Sequence, residues 1–532
     1  MASMASAATR RWGVGRAGRL ALAALCLGVA FAAFAGSGVA WLAASTDADI
    51  DRAFGRARAE NKPVLLYWGA RWCPPCNQLK ATLFERQDFV ERSRAFVAVA
   101  IDGDDAGAQR LGTRFKVRGY PTLVVLDPAG HELTRLPGEA EPAQVLGLMQ
   151  QGLAGGRAFR DVLADARAGR PLAAGEWRLL AFSDWATDVD GGAEGAVVSA
   201  DLPGLLYDLS LRCPPDEADM GARLMLKALA QTDEGDDGKG VVADAGLRER
   251  VAALLADARS RRALSDLIVN SAAEIARALA PEPGPARVRV VAGFDAALVA
   301  LHADNSLSRA DRQSALIGRV ELARMDLPRD EVHPNLPAEL QQQVRDEARR
   351  NDREITDGYE RQAVVTAAAY MLSRAGLWQA SDDLLRANLA RSHSPYYLMS
   401  ELARSARALG KADEALGWYQ RAWERSEGPS TRLQWGSAYL GALIDLAPDD
   451  VPRIESLARR LIGEAGRLTD AFHDRNRRSI DRIVGRLAEW GKSPARSATV
   501  VRFRLELAGL CRSLPTDQGQ RRDCESLARK GA

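Results

Sequence analysis

The sequence has no excess of one charge. Its 532 residues carry 72 Lys and Arg against 70 Asp and Glu, a formal net charge of +2. The Arg residues are interspersed with acids as on solvated helices, so no single-sign field builds up and nucleic acid is not an expected partner. Histidine is scarce, five in all, and the six cysteines are mostly scattered: Cys26, Cys73, Cys76, Cys213, Cys511 and Cys524. A structural zinc at Cys73 and Cys76 would want a second ligand pair, and none lies near in sequence. The acidic run Asp102-Gly-Asp-Asp105 lacks the alternate-ligand spacing and the distal Glu of a calcium loop, and reads as a turn with a helix cap. No metal and no organic cofactor is called for. Residues 156–330 hold no chemical motif. Cys213, beside Pro214-Pro215, reads as an inert thiol, and His131 as a surface residue.

One long apolar stretch is present. Arg10, Arg11, Arg16 and Arg19 precede an uncharged segment from Leu20 to Ala44. Leu20 to Phe34 has signal-peptide length, with Ala33-Phe34-Ala35 and Gly38-Val39-Ala40 as candidate cleavage sites. The whole segment is also long enough to serve as an uncleaved anchor. Either way the positive-inside rule places the rest outside the cytoplasm, so the expectation is a periplasmic or otherwise extracytoplasmic chain.

The chain is organised around Lys62-Pro-Val-Leu-Leu-Tyr-Trp-Gly-Ala-Arg-Trp-Cys-Pro-Pro-Cys76. Val64 to Trp68 read as a short buried strand. Leu79, Leu83 and Phe84 are spaced for one face of a helix running from Cys73 to about Arg86. Cys73 then lies at a helix N-terminus, where unpaired N–H groups and the macrodipole favour a thiolate. Cys76, one turn on, is placed to resolve a mixed disulfide. Pro74 and Pro75 suit the first helical turn.

Trp72-Cys73-x-x-Cys76 after an apolar strand resembles the active site of the thioredoxin superfamily. A second mark is Arg118-Gly-Tyr-Pro-Thr122, just before the apolar run Leu123 to Leu126. The resemblance implies that Pro121 is a cis-proline facing the cysteine pair. It also implies that Tyr120 and Trp72 shape the surface where a substrate strand lies. It covers about a fifth of the chain. One departure stands out: where many members carry a buried acid six residues before the first cysteine, this chain has Tyr67. A structural disulfide on a degenerate fold is the competing reading of the pair. The pattern across this segment is α-β-α-β-α-β-β-α: helix 48–59, strand 64–68, helix 73–86, strand 96–101, helix 106–115, strand 122–126, strand 131–136 and helix 142–153.

The remainder is Ala-, Leu- and Arg-rich and strand-poor. Gly376 and Gly410 recur one 34-residue period apart, as in tetratricopeptide repeats. In the second copy Gly410, Ala415, Tyr419 and Ala422 fall at repeat-like positions, and a looser unit runs from Leu433 to Glu464. An ordinary helical bundle is the alternative. Trp418, Tyr419, Trp423, Trp435 and Tyr439 read as core. Leu510-Cys511 and Asp523-Cys524 flank a polar loop, and a structural disulfide is expected to staple that hairpin.

The expected architecture is therefore an α/β thioredoxin fold followed by a large all-α, solenoid-like region. Its divisions are 1–44 (targeting), 45–155 (thioredoxin-like), 156–330 (helical) and 331–532 (repeat-like). The expected function is an exported thiol-disulfide oxidoreductase acting on protein thiols or disulfides through Cys73 and Cys76. Its direction is open, its recycling partner unidentified, and its helical region would dock substrates or partners. The alternative is a non-catalytic envelope scaffold that binds partner proteins through its repeats.

Overall fold

The computed structural model describes residues 38–136, 142–153, 156–183, 185, 202–232, 240–515 and 519–530. The charged N-terminus and the 33–35 cleavage site lie outside the described residues, as do the loop expected at 187–195 and most of the polar loop 231–240. Among the described residues no helix is long and apolar enough to cross a membrane.

The first region is an α/β unit in this order: β1 (Leu42–Ala43), α1 (Asp47–Glu60), β2 (Val64–Gly69), α2 (Pro74–Thr82), α3 (Gln87–Ser93), β3 (Val97–Asp102), α4 (Ala108–Arg114), β4 (Thr122–Leu126), β5 (Glu132–Leu136) and α5 (Pro142–Leu153). The sheet order is β1-β3-β2-β4-β5. β2 is parallel to β3 and antiparallel to β4, with Gly69 opposite Asp102 and Trp68 opposite Thr122. This is the thioredoxin fold that the two motifs implied.

Strand alternation sorts the core. Leu65, Tyr67, Leu123 and Val125 point to one face, with Leu79, Leu83, Phe84 and Phe89. Val64, Leu66, Trp68, Val124 and Leu126 point to the other, against Ile50, Phe54 and Leu111. Thr46 closes the start of α1 with a capping box to Asp49.

Two boundaries differ from expectation. Leu42 and Ala43 pair with Val99 and Ala100, so the sheet begins inside the stretch assigned to targeting. Trp41 also packs on Tyr67 and Phe84. The cysteine helix ends at Thr82 rather than near Arg86. Leu83, Phe84 and Phe89 are then all turned into the core, which one continuous helix would not allow.

The rest of the described chain is helical. Its apolar core is continuous with the sheet, from Leu65 and Leu123 through Phe159, Trp177 and Leu224 to Leu322. From residue 358 onward, neighbouring helices pack in sequence order: Gly358–Arg374, Trp378–Asn388, Pro395–Ala408, Ala412–Arg425 and Pro429–Leu446. Gly376 and Gly410 occupy equivalent turns, at φ 76° and 72°, in the left-handed region that favours glycine. The periodic glycines therefore mark real helix–turn–helix pairs. Trp418, Trp423 and Tyr439 are buried, as read. Cys511 and Cys524 are joined with a Cα–Cα separation of 5.4 Å, and both are buried.

Candidate redox site

The site is built at the C-terminal end of β2. The chain leaves β2 at Gly69, and Cys73 becomes the N-cap of α2, with Pro74 opening the first turn. Cys76 N donates to Cys73 Sγ at 3.2 Å. That bond satisfies one of the helix's unpaired N–H groups with the sulfur itself, the arrangement that stabilises a thiolate after reduction. Cys73 and Cys76 are joined as a disulfide with Cα atoms 5.3 Å apart. Across from them the Tyr120–Pro121 peptide is cis, and the Tyr120 carbonyl oxygen lies 3.5 Å from Cys73 Sγ. Trp72 and Tyr120 flank the pair. All five residues singled out in the sequence thus meet at one place.

Tyr67, in the position of the missing acid, is buried and its hydroxyl finds no partner among the described residues. Burial pushes its phenol up, with Asp102 adding to the shift. Tyr67, Lys80 and Asp102 line one cavity of about 340 Å³ with Ala70, which packs against both cysteines. Burial raises the Asp102 carboxyl and lowers the Lys80 ammonium from their ordinary values.

The pair is closed over. Cys73 is 2 % exposed and Cys76 fully buried. The cover comes from the helical region. The Gly358–Arg374 helix packs against α2, and Gln362 Nε2 donates to the Trp72 carbonyl at 3.5 Å. The Trp72 ring stacks on Tyr397, 5.9 Å between centroids, and meets Trp435 edge-on. Trp72 Nε1 donates to Thr431 Oγ1 at 2.7 Å and to Asp104 Oδ2 at 3.2 Å.

Asp104 is the hub of this contact. It accepts from Thr431 N at 2.8 Å and Thr431 Oγ1 at 2.6 Å, so it caps the first turn of the Pro429–Leu446 helix. It also pairs with Arg475 Nη2 at 2.6 Å. The Arg475 guanidinium lies over both the Trp72 and Tyr120 rings, at 5.6 and 5.2 Å. The service is returned on the other side: Asp470 Oδ2 accepts from Gln109 N in the first turn of α4 at 3.0 Å. Each region thus caps a helix of the other. Arg71 pairs with Glu427 at 2.8 Å on the exposed rim.

Asp104, Tyr397, Thr431, Trp435 and Arg475 were not singled out for this role. By local sequence Asp104 belongs to a turn and Trp435 to the core. No local spacing connects residues more than 300 positions apart. Elsewhere, burial pushes the Cys213 thiol up to about 11, which disfavours the thiolate. His131 is exposed and pairs with Asp127. Among the described residues no group of three or more His, Cys, Asp or Glu is placed to hold a metal ion.

Residues 50–153 match the family model of a thioredoxin-like domain. Similar curated proteins include thiol:disulfide interchange protein DsbD 2 of Pseudomonas aeruginosa, 32% identical over 106 residues, covering 19% of this chain and 18% of that protein. Nucleoredoxin of Bos taurus is 29% identical over 99 residues, covering 14% of this chain and 23% of that one. The chain therefore spans about a fifth of the length of these relatives. Among solved structures, a circular tandem repeat protein aligns over 74% of this chain and 83% of its own at 14% identity, with a TM-score of 0.19, too low to bear on the fold.

Proposed function

We propose that the chain is a thiol-disulfide oxidoreductase that exchanges disulfides with protein thiols through Cys73 and Cys76. The observation that carries this is Cys73 at the N-cap of α2, with its sulfur held by the Cys76 N–H and facing the Tyr120–Pro121 peptide. Cys73 is the attacking sulfur and Cys76 the resolving one. Trp72, Tyr120 and Pro121 form the surface for a substrate strand. Electrons pass between thiols, so no cofactor enters. The Arg-rich start followed by the uncharged stretch that begins at Leu20, ahead of the sheet residues Leu42 and Ala43, supports an extracytoplasmic location, by signal or by anchor. There the Cys511–Cys524 bond persists as a structural staple.

Burial of the pair favours a second reading, in which the disulfide is parked and the helical region is a scaffold. Trapping decides between them. Cys76→Ser leaves Cys73 unable to be resolved, so an exchanging enzyme accumulates mixed disulfides with protein thiols through Cys73. The same chain also carrying Cys73→Ser accumulates none. No mixed disulfide in either variant leaves the scaffold.

A further inference from the structure

The substrate surface named above is occupied by the chain itself. Tyr397 stacks on Trp72, Thr431 holds its indole N–H, Trp435 closes its edge, and Arg475 lies over Trp72 and Tyr120 together. Gly428 brings the backbone so close that a Cβ there would stand 2.5 Å from Asp104 Cβ. These are the two rings a polypeptide would use to approach Cys73.

We propose that the helical region is a specificity gate for the redox pair. With the Trp72–Asp104–Thr431–Arg475 contact made, Cys73 is covered, and a small dithiol needs a narrower opening to reach it than a polypeptide does. A polypeptide reaches it only when that contact opens. The proposal rests on the oxidoreductase reading.

The chemistry at the pair is the same for both classes of reactant. When a small dithiol reduces the pair, one of its sulfurs attacks Cys73 Sγ and the Cys73–Cys76 bond breaks. Its second sulfur then displaces Cys73. Two electrons pass to the pair, a proton ends on each cysteine sulfur, and the dithiol leaves as its cyclic disulfide. Only the room around Cys73 separates this reaction from the one with a protein. Size therefore discriminates, and residues of the cover set the discrimination.

The test uses the full chain with two reactants. Dithiothreitol reports direct reduction of Cys73–Cys76. Insulin, with dithiothreitol as electron source, reports exchange with a polypeptide. Gly428→Ala is a wedge, because φ is 83° there and the added methyl meets Asp104. Thr431→Val removes the hydroxyl bonds to Trp72 and Asp104 while keeping the shape. Glu427→Arg puts a like charge against Arg71 on the exposed rim and leaves the packing alone.

Wild type is expected to be reduced by dithiothreitol but to turn insulin over slowly. In the wedge variant insulin turnover rises roughly 10-fold, corresponding to about 1.4 kcal/mol of lost closure. Glu427→Arg gives a smaller rise of about 2- to 5-fold. Direct reduction by dithiothreitol stays within about 2-fold throughout, since a small reactant needs only a narrow opening that the wild-type chain already makes.

Insulin turnover that is equal in wild type and all three variants overturns the gate and leaves the oxidoreductase reading standing. So does a parallel rise of both reactions, which would be general loosening. A pair that dithiothreitol cannot reduce in any of the four chains overturns the gate and the underlying reading together.

Discussion

Asp104→Ala should be among the most damaging single changes in the chain that leave the sheet core intact. The carboxylate accepts from Thr431 N and Oγ1, from Trp72 Nε1 and from Arg475 Nη2. Arg475 is only 7 % exposed, and its Nε and Nη1 find no partner among the described residues. Removing Asp104 therefore takes the ion-pair partner from a buried guanidinium and leaves its Nη2 the Gly103 carbonyl at 3.2 Å, a loss of about 3–5 kcal/mol. Arg475→Met removes the stranded charge. The double variant should accordingly recover part of the loss, with a coupling of about 1.5 kcal/mol or more. Equilibrium urea unfolding of the four chains, followed by circular dichroism, reads both quantities. A loss below about 1 kcal/mol for Asp104→Ala would refute the account of Asp104 as the hub, as would effects additive within about 0.5 kcal/mol.

Three further outcomes are expected. Replacing both Cys511 and Cys524 by Ala opens a link of sequence separation 13; the loop entropy predicts a loss of about 3 kcal/mol in the same unfolding assay, with redox exchange unchanged. Gly436→Ala drives a methyl into Leu461 and to 3.0 Å from Trp423 Nε1, so it should cost about 1–3 kcal/mol and lower the thermal midpoint. His393, whose Nε2 lies 3.1 Å from the Arg71 carbonyl, is held below the ordinary histidine value, chiefly by burial. The unfolded chain then takes up the proton first, so its contribution to stability is intact above the ordinary value and is lost as pH falls through it towards the folded value. His393→Gln keeps a donor and removes the titration. Its thermal midpoint should drop less than that of wild type between about pH 7.5 and about pH 5.5; equal drops would show that His393 does not matter.

Local chemistry was legible in the sequence, and distant chemistry was not. Val64 to Trp68, the Trp72-Cys73-x-x-Cys76 turn and the run after Pro121 each declare themselves within a dozen residues, through strand composition, helix start and strand start. The α/β fold follows from their order. The 34-residue spacing of Gly376 and Gly410 marked true turns because a positive φ leaves a glycine in the sequence. The cover over the pair left no such trace. Thr431 and Arg475 are ordinary helix-start residues by any local measure, and only packing brings them to Asp104. Tyr67 was noticed as a missing acid, yet the sequence could not place Lys80 and Asp102 around the same cavity. The end of α2 is misplaced in the sequence reading because Leu79, Leu83 and Phe84 suit one helical face as well as the broken path they take into the core. Leu42 and Ala43 read as apolar leader because a two-residue edge strand has no pattern of its own.

The central claim is that Cys73 and Cys76 exchange electrons with thiols, and the reduction potential of the pair in the full chain tests it most directly. Equilibration against graded dithiol–disulfide buffers, with Cys73→Ser as the control, should give a two-electron titration. A midpoint near that of thioredoxin, about −270 mV, marks a reductant, and one near about −120 mV marks a donor of disulfides. A pair that stays oxidised in every buffer, indistinguishable from a structural disulfide below about −300 mV, would contradict the account.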